Sequence, residues 1–193
     1  MYVNDLEIDP ATTALLLMDL QVGILSPHPD AEGYLARLQG AREAARAAGV
    51  TVGYVRVALT ADEAAGIPST SRFAGAATRL DADSPETQID ARIAPALGEI
   101  VVRKQRVGAF STTDLAAQLA EHGIDTLVLA GIATSGVVLS TVRDASDRDY
   151  RIVVLEDGCW DRDPEVHRVL TEKVFPRGGA TVVSVDEFVA ALR

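Results

Sequence analysis

TLVLAGIATSGVVLSTVRDASDRDY, residues 126–150, reads as a buried strand, a turn of small residues and a helix. Thr126 to Ala130 is a short apolar run of the kind required by a parallel sheet covered on both faces, and Gly131 ends it. From Ser135 to Arg148 the apolar side chains of Val138, Val142 and Ala145 recur at helical spacing, which turns one face inward. Between them, Gly131-Ile-Ala-Thr-Ser-Gly136 leaves backbone N–H groups at a helix N-terminus, where they and the helix dipole favour an anion or a developing oxyanion. The same residues also fit a plain strand-to-helix connection.

Working outward, ALLLMDL at 14–20 is an apolar run broken only by Asp19, which suits a central strand with a carboxylate near its C-terminal end. Residues 34–48 place Leu35, Leu38, Ala41, Ala45 and Ala48 on one helical face, and Gly49 is set to end that helix. TVGYVRV at 51–57 is the next strand. After it, residues 58–82 lose periodicity and read as a long surface loop, partly helical, of the kind that serves as a lid or binding loop. Residues 99–102 are strand-like and deliver Arg103 and Lys104 at their end. Ser111 is the expected cap of a helix from Leu115 to His122, stopped by Gly123. A fifth strand covers Ile152 to Leu155, and Asp163-Pro164 opens a helix running to Phe175. The last strand is Thr181 to Ser184, and Ser184-Val-Asp-Glu187 caps a closing helix. This alternation implies βαβ units around a parallel sheet.

The 193 residues, 48% apolar, suffice for a sizeable core and are expected to form one domain. A net charge of −10 opposes nucleic acid and anionic membranes, leaving a small molecule or a protein as the expected partner. MYVNDLEIDP lacks the basic and apolar regions of a signal peptide, and no apolar run approaches a membrane span, so a cytoplasmic location is expected. The single cysteine, Cys159, permits neither an intrachain disulfide nor a thiolate zinc cluster.

Three presumptive strand ends carry unusual chemistry: Asp19, Lys104 and the 131–137 turn. In an open parallel sheet such ends border the ligand crevice. A carboxylate inside an apolar strand needs a partner or a raised pKa, and Lys104 is the obvious partner. Gly131 and Gly136 have P-loop spacing, yet Val137-Val138 stands where a phosphate-binding Lys-Ser/Thr pair is needed. No G-x-G-x-x-G follows the first strand, which leaves a dinucleotide fold unsupported. His28, His122 and His167 are widely separated and without carboxylates at metal-ligand spacing, so no metal is expected, and with both nucleotide motifs missing no cofactor is expected either. His122 reads as a helix C-terminal residue and His167 as a helix surface residue.

Three segments, ALLLMDLQ with Asp19, VVRKQRVGAFSTTDL with Lys104, and LVLAGIATSGVVLSTVRDASDRDYRIVVLEDGC, make the chain resemble the isochorismatase-like hydrolases. That superfamily includes nicotinamidases, N-carbamoylsarcosine amidases and isochorismatases. The resemblance implies a three-layer αβα, Rossmann-like fold with a six-stranded parallel sheet, a cis peptide between Ile132 and Ala133, and dimers or larger homo-oligomers. In the amidase members an Asp, a Lys and a Cys cooperate, and matching GIAT to their motif puts Val137 at the position of the nucleophilic Cys. Valine has no lone pair with which to attack. Cys159 lies too far along the chain to replace it, and Ser135, Ser140 and Thr141 have no histidine base in view. Isochorismatases also lack the Cys, keep the Asp and Lys, and use the Asp as a general acid on a vinyl ether. They carry Gly at the Cys position, whereas Gly136 here lies one residue earlier. The resulting expectation is a cysteine-less hydrolase acting on a small polar or anionic metabolite. Asp19 moves the proton, Lys104 holds charge beside it, the Ala133 and Val137 N–H groups bind substrate oxygen, and Thr134, Gly136 and Arg72 complete the substrate-binding residues. Arg72, Arg103 and Arg106 are candidate carboxylate ligands. The alternative is an inactive binding or oligomerisation protein that retains the pocket.

Overall fold

The computed structural model describes residues 6–193. Six strands, β1 (Thr13–Met18), β2 (Thr51–Val57), β3 (Ile100–Lys104), β4 (Thr126–Ile132), β5 (Arg151–Trp160) and β6 (Thr181–Val183), form one sheet in the order β3-β2-β1-β4-β5-β6, and every pairing is parallel. Among the described residues the α-helices are α1 (Val22–Leu25), α2 (Ala31–Ala48), α3 (Ala61–Ala65), α4 (Leu115–Glu121), α5 (Leu139–Ser146), α6 (Pro164–Val169), α7 (Phe175–Arg177) and α8 (Val185–Ala191).

Strand periodicity builds the three layers. Successive β1 side chains point to opposite faces, so Leu15 and Leu17 enter the core under α2 and α8, while Leu16 and Met18 enter the one under α4 and α5. Both faces are covered, and all six β1 residues are buried. Complete burial of each leucine contributes roughly 2 kcal/mol, which is why the strand is apolar from Ala14 up to Asp19, with the buried Thr13 at its start. Helix α2 presents Leu35, Leu38, Ala41 and Ala45 to the sheet. Asp30 caps its start by accepting from the Gly33 N–H, and Gly49, at φ +83°, ends it in the left-handed conformation glycine adopts without cost.

Several expected boundaries move. Ser111 does not cap α4; the Leu115 N–H is instead bound by Thr113 Oγ1, because Leu115 is the first helical residue and Ser111 lies too far upstream. The helix expected from Ser135 begins with one wide turn over Thr134–Val138, in which the Val138 N–H donates to Ala133 O, before α5 takes over. Such wide turns recur at functional sites. The fifth strand continues to Trp160, past the register shift opposite Leu129 and Gly131, so its polar Glu156 and Asp157 lie within a strand. The 58–82 segment contains α3 and a 3-10 turn at Ala74–Arg79.

The strand order places the site. From β1 the chain builds outward through β2 and β3 on one side, then returns to add β4, β5 and β6 on the other. The order reverses between β1 and β4, and in open parallel sheets ligands bind outside the carboxyl ends of the strands at such a point. Asp19 follows β1, the Gly131–Val137 turn follows β4, and Lys104 ends β3.

Candidate active site

Asp19 leaves β1 with φ +58°, a left-handed conformation that aspartate tolerates better than most residues. Its N–H still donates to Val55 O at 2.8 Å, so the backbone remains tied to β2 while the side chain is re-aimed. Lys104 lies two strands away, roughly 9.5 Å across a sheet, and its long stem closes the gap. Its Nζ donates to Asp19 Oδ2 at 2.7 Å and to Arg106 O at 3.3 Å. Lys104 is 2% exposed and Asp19 5% exposed. Two valences stay open. An ammonium has three hydrogens, of which these contacts use two, and Asp19 Oδ1 is buried with no partner among the described residues. Gln21 fixes the adjoining end of β2, accepting from the Val57 N–H at 2.8 Å and donating to Val57 O and Thr87 O.

Burial pushes the Asp19 carboxyl up to about 6, and the charge and hydrogen bond of Lys104 only partly offset that. The group can therefore take and give a proton near neutral pH. A folded pKa above the unfolded value means that the folded state holds the proton more tightly between about pH 4 and pH 6. In that window the Asp19 contribution to stability falls as pH rises, by on the order of 3 kcal/mol, and it is flat on either side. Urea unfolding of wild type and Asp19→Asn across pH 4 to 7 measures it. The wild type is expected to lose stability relative to the variant over that range, and a constant difference would refute the shifted carboxyl.

The second half of the site is the turn after β4. Met18 is in register with Gly131, which brings Asp19 level with Ile132. Gly131, at φ +150°, has no room for a side chain: a Cβ would collide with Met18 O. The peptide bond between Ile132 and Ala133 is cis, as the resemblance implies. Thr134 is fully buried, and its Oγ1 lies 2.8 Å from His167 Nδ1. Ser135 donates its N–H and its Oγ–H to Asp161 Oδ2, at 2.8 and 2.6 Å. The Gly136 and Val138 N–H groups both donate to Ala133 O. Neither the Ala133 N–H nor the Thr134 N–H has an acceptor among the described residues. Val137 is buried in the apolar cluster that contains Met18, Ala109 and Phe110.

His167 is therefore not a plain surface residue, because α6 lies against the turn and brings its ring to Thr134. Asp161 and Gln21 also escape a sequence reading, since their partners lie 26 to 66 residues away. The only signal in the sequence is a polar residue beside the end of an apolar run.

The arginines separate clearly. Arg103 donates to Glu63 through two nitrogens, at 2.6 and 3.0 Å, and to Ala58 O, so it anchors α3 and is not free for a ligand. Glu63 also accepts from Gln105 and from the Thr60 N–H. Arg106 lies beside Lys104 with its guanidinium 5.9 Å from the Phe73 ring centroid, which brings the 58–82 segment over this end of the sheet. Arg72 is exposed in that segment. A cleft of about 470 Å³ lies alongside, lined by Gln21, Gly23, Ile24, Leu80, Glu86 and Thr87 among others; Asp19, Lys104 and Val137 are not in its walls.

Other potential nucleophiles are unsuited. Burial pushes the Cys159 thiol up to about 12, and the thiol points to Leu129 O. Thr141 is fully buried with its hydroxyl accepting from the Ala109 N–H.

A covered parallel sheet with a carboxylate, a lysine and a small-residue turn meeting at its switch point defines an αβα enzyme-like scaffold of one recognisable class. The chain belongs to the isochorismatase family, whose Isochorismatase domain model matches residues 13–187. It is 36% identical to the isochorismatase family protein YecD of Escherichia coli O157:H7, over 97% of this chain and 100% of that one. It is 38% identical to N-carbamoylsarcosine amidase of an Arthrobacter species, over 72% of this chain and 53% of that one. Among solved structures, an isochorismatase family protein from Burkholderia thailandensis superposes with a TM-score of 0.82 at 28% identity, covering 96% of this chain and 97% of that one.

Proposed function

We propose that the protein is a hydrolase of a small polar or anionic metabolite that works by Asp19/Lys104 acid–base chemistry without a cysteine nucleophile. The observation that carries this reading is the buried, unpartnered Oδ1 of Asp19 beside an unused hydrogen on Lys104. A purely structural ion pair gains nothing from leaving a buried acceptor empty, at a cost of about 1–3 kcal/mol. A substrate group completes both valences. Asp19 then takes a proton from an attacking water or gives one to the leaving group, and Lys104 holds the negative charge that develops. Arg106 is the arginine best placed for a substrate carboxylate, such as the one N-carbamoylsarcosine carries.

A second reading, a binding protein without turnover, is favoured by Val137 at the family's nucleophile position. A metabolite screen that includes N-carbamoylsarcosine separates the two. Turnover in the wild type, reduced about 10²-fold or more in Asp19→Asn, is the expected result. Iodoacetamide should leave that turnover intact, because the Cys159 thiol is buried and protonated. Binding without turnover in both proteins would select the second reading.

A further inference from the structure

Lys104 reaches Asp19 from a strand end that is held on one side only. β3 lies at an edge of the sheet and pairs with β2 alone, and Lys104 is its last residue. Beyond the ladder itself, the Ala58 N–H donates to Lys104 O at 3.1 Å. The pair needs this end to be fixed, because the lysine stem crosses two strands before its Nζ meets Asp19 Oδ2 at 2.7 Å, with both groups buried. Any displacement of the backbone there is carried along the stem to the ammonium. The residues on both sides of Lys104 converge on one carboxylate. Arg103 donates to Glu63 Oε2 at 2.6 Å and to Oε1 at 3.0 Å, and Gln105 Nε2 donates to Oε1 at 2.7 Å.

Glu63 is itself fixed by a capping box at the start of α3. Its Oε2 accepts from the Thr60 N–H at 2.8 Å, and Thr60 Oγ1 accepts from the Glu63 N–H at 3.3 Å. A capping box asks no more of the glutamate side chain than that bond to Thr60. The three further bonds all come from the neighbours of Lys104, and bidentate charge-assisted bonds set direction as well as distance. Arg103 Nη1 also donates to Ala58 O, at the residue whose N–H holds Lys104 O. The remaining tie of this stretch, from the Gln105 N–H to Thr112 Oγ1 at 2.9 Å, belongs to the loop after β3. Hydrogen bonds from Arg103 and then Thr60 hold the Glu63 carboxyl down to about 2, so it stays charged over the whole range in which Asp19 titrates. We infer that Glu63 is a positioning residue for Lys104: its carboxylate grips the residues on both sides of the lysine and so fixes the end of β3 from which the ammonium reaches Asp19. The inference rests on the proposed function in taking Lys104 as the group that works beside Asp19.

The test follows the titration of the Asp19 carboxyl by its side-chain carbon resonance, assigned with Asp19→Asn, and it needs no substrate. Lys104 is the charged group that faces Asp19 and draws its pKa down, so an ammonium that loses its place lets the carboxyl rise. Glu63→Ala should move the Asp19 midpoint up by about half a pH unit or more. The bare loss of a negative charge nearby would move it down instead, so the sign separates positioning from charge. Glu63→Gln, which keeps the shape of the side chain, should give a smaller rise. Glu99→Gln is the control, since it breaks a comparable bidentate pair with Arg46, at 2.7 and 2.8 Å, just before the opposite end of β3. It should give no rise. A midpoint that is unmoved or lowered in folded Glu63→Ala, or raised as far by Glu99→Gln, would overturn the inference. Failure of both Glu63 variants to fold would assign Glu63 to stability and overturn it equally. The shift is a difference from wild type, so the two readings fail separately: absence of turnover would sink the proposed function and leave the clamp on Lys104 standing.

Discussion

Val137→Cys, made with Cys159→Ser, is expected to yield a thiol that titrates below about 7.5 rather than near 8.5. The helix N-terminus, the free Ala133 N–H and the Lys104 ammonium all favour the thiolate, while Asp161 and the apolar wall of Met18, Ala109 and Phe110 oppose it. The favourable set is expected to dominate because the backbone N–H groups and the helix dipole act directly at the thiol. Asp19→Asn in this background should lower the thiol pKa further, since it removes a negative charge and leaves the ammonium uncompensated. Cysteine and valine are close in volume, so the fold should tolerate the change within about 1.5 kcal/mol. The pH dependence of alkylation measures both effects. A thiol that titrates like a free cysteine and ignores Asp19→Asn would show that Val137 and Asp19 do not share a site.

Much of this arrangement is legible in the sequence because burial on both faces of a parallel sheet demands apolar runs, and those runs locate strands well. ALLLMDL and TLVLAG therefore read directly as central strands, and Asp19 stands out as the residue that breaks the pattern. Caps defined by a side chain reaching two or three residues along the chain are equally readable: Asp163 and Ser184 bond the helix N–H groups as expected. Apart from the Asp19–Lys104 pair, what escapes is the set of contacts that close between elements distant in the chain. Periodicity describes His167 only within its own helix, and the ring meets Thr134 because α6 packs beside the turn. Sequence alone gives Arg103 and Arg106 equal standing, and only the fold brings Glu63, 40 residues earlier, to Arg103. The wide turn at Thr134 is hidden for a different reason: small residues permit it without encoding it.

The ion pair itself makes the largest stability prediction. Lys104→Met should destabilise the protein by about 3–5 kcal/mol at neutral pH, because Asp19 is left in an apolar site with neither oxygen paired. The penalty has a definite pH signature. Without the ammonium nothing offsets burial, so the Asp19 carboxyl rises further and the loss shrinks as the medium is acidified and the group becomes neutral. Asp19→Leu alone should also be costly, since it strands a buried ammonium. The double variant Asp19→Leu/Lys104→Met replaces both charges by side chains of similar bulk, and it should recover most of the lost stability while abolishing any turnover. Urea midpoints for the four proteins complete the cycle, with an expected coupling of about 2 kcal/mol or more. Additive losses would mean that the two residues do not depend on each other. Recovered stability without function would instead mark the pair as one kept for chemistry, since the fold can be held as well by apolar residues.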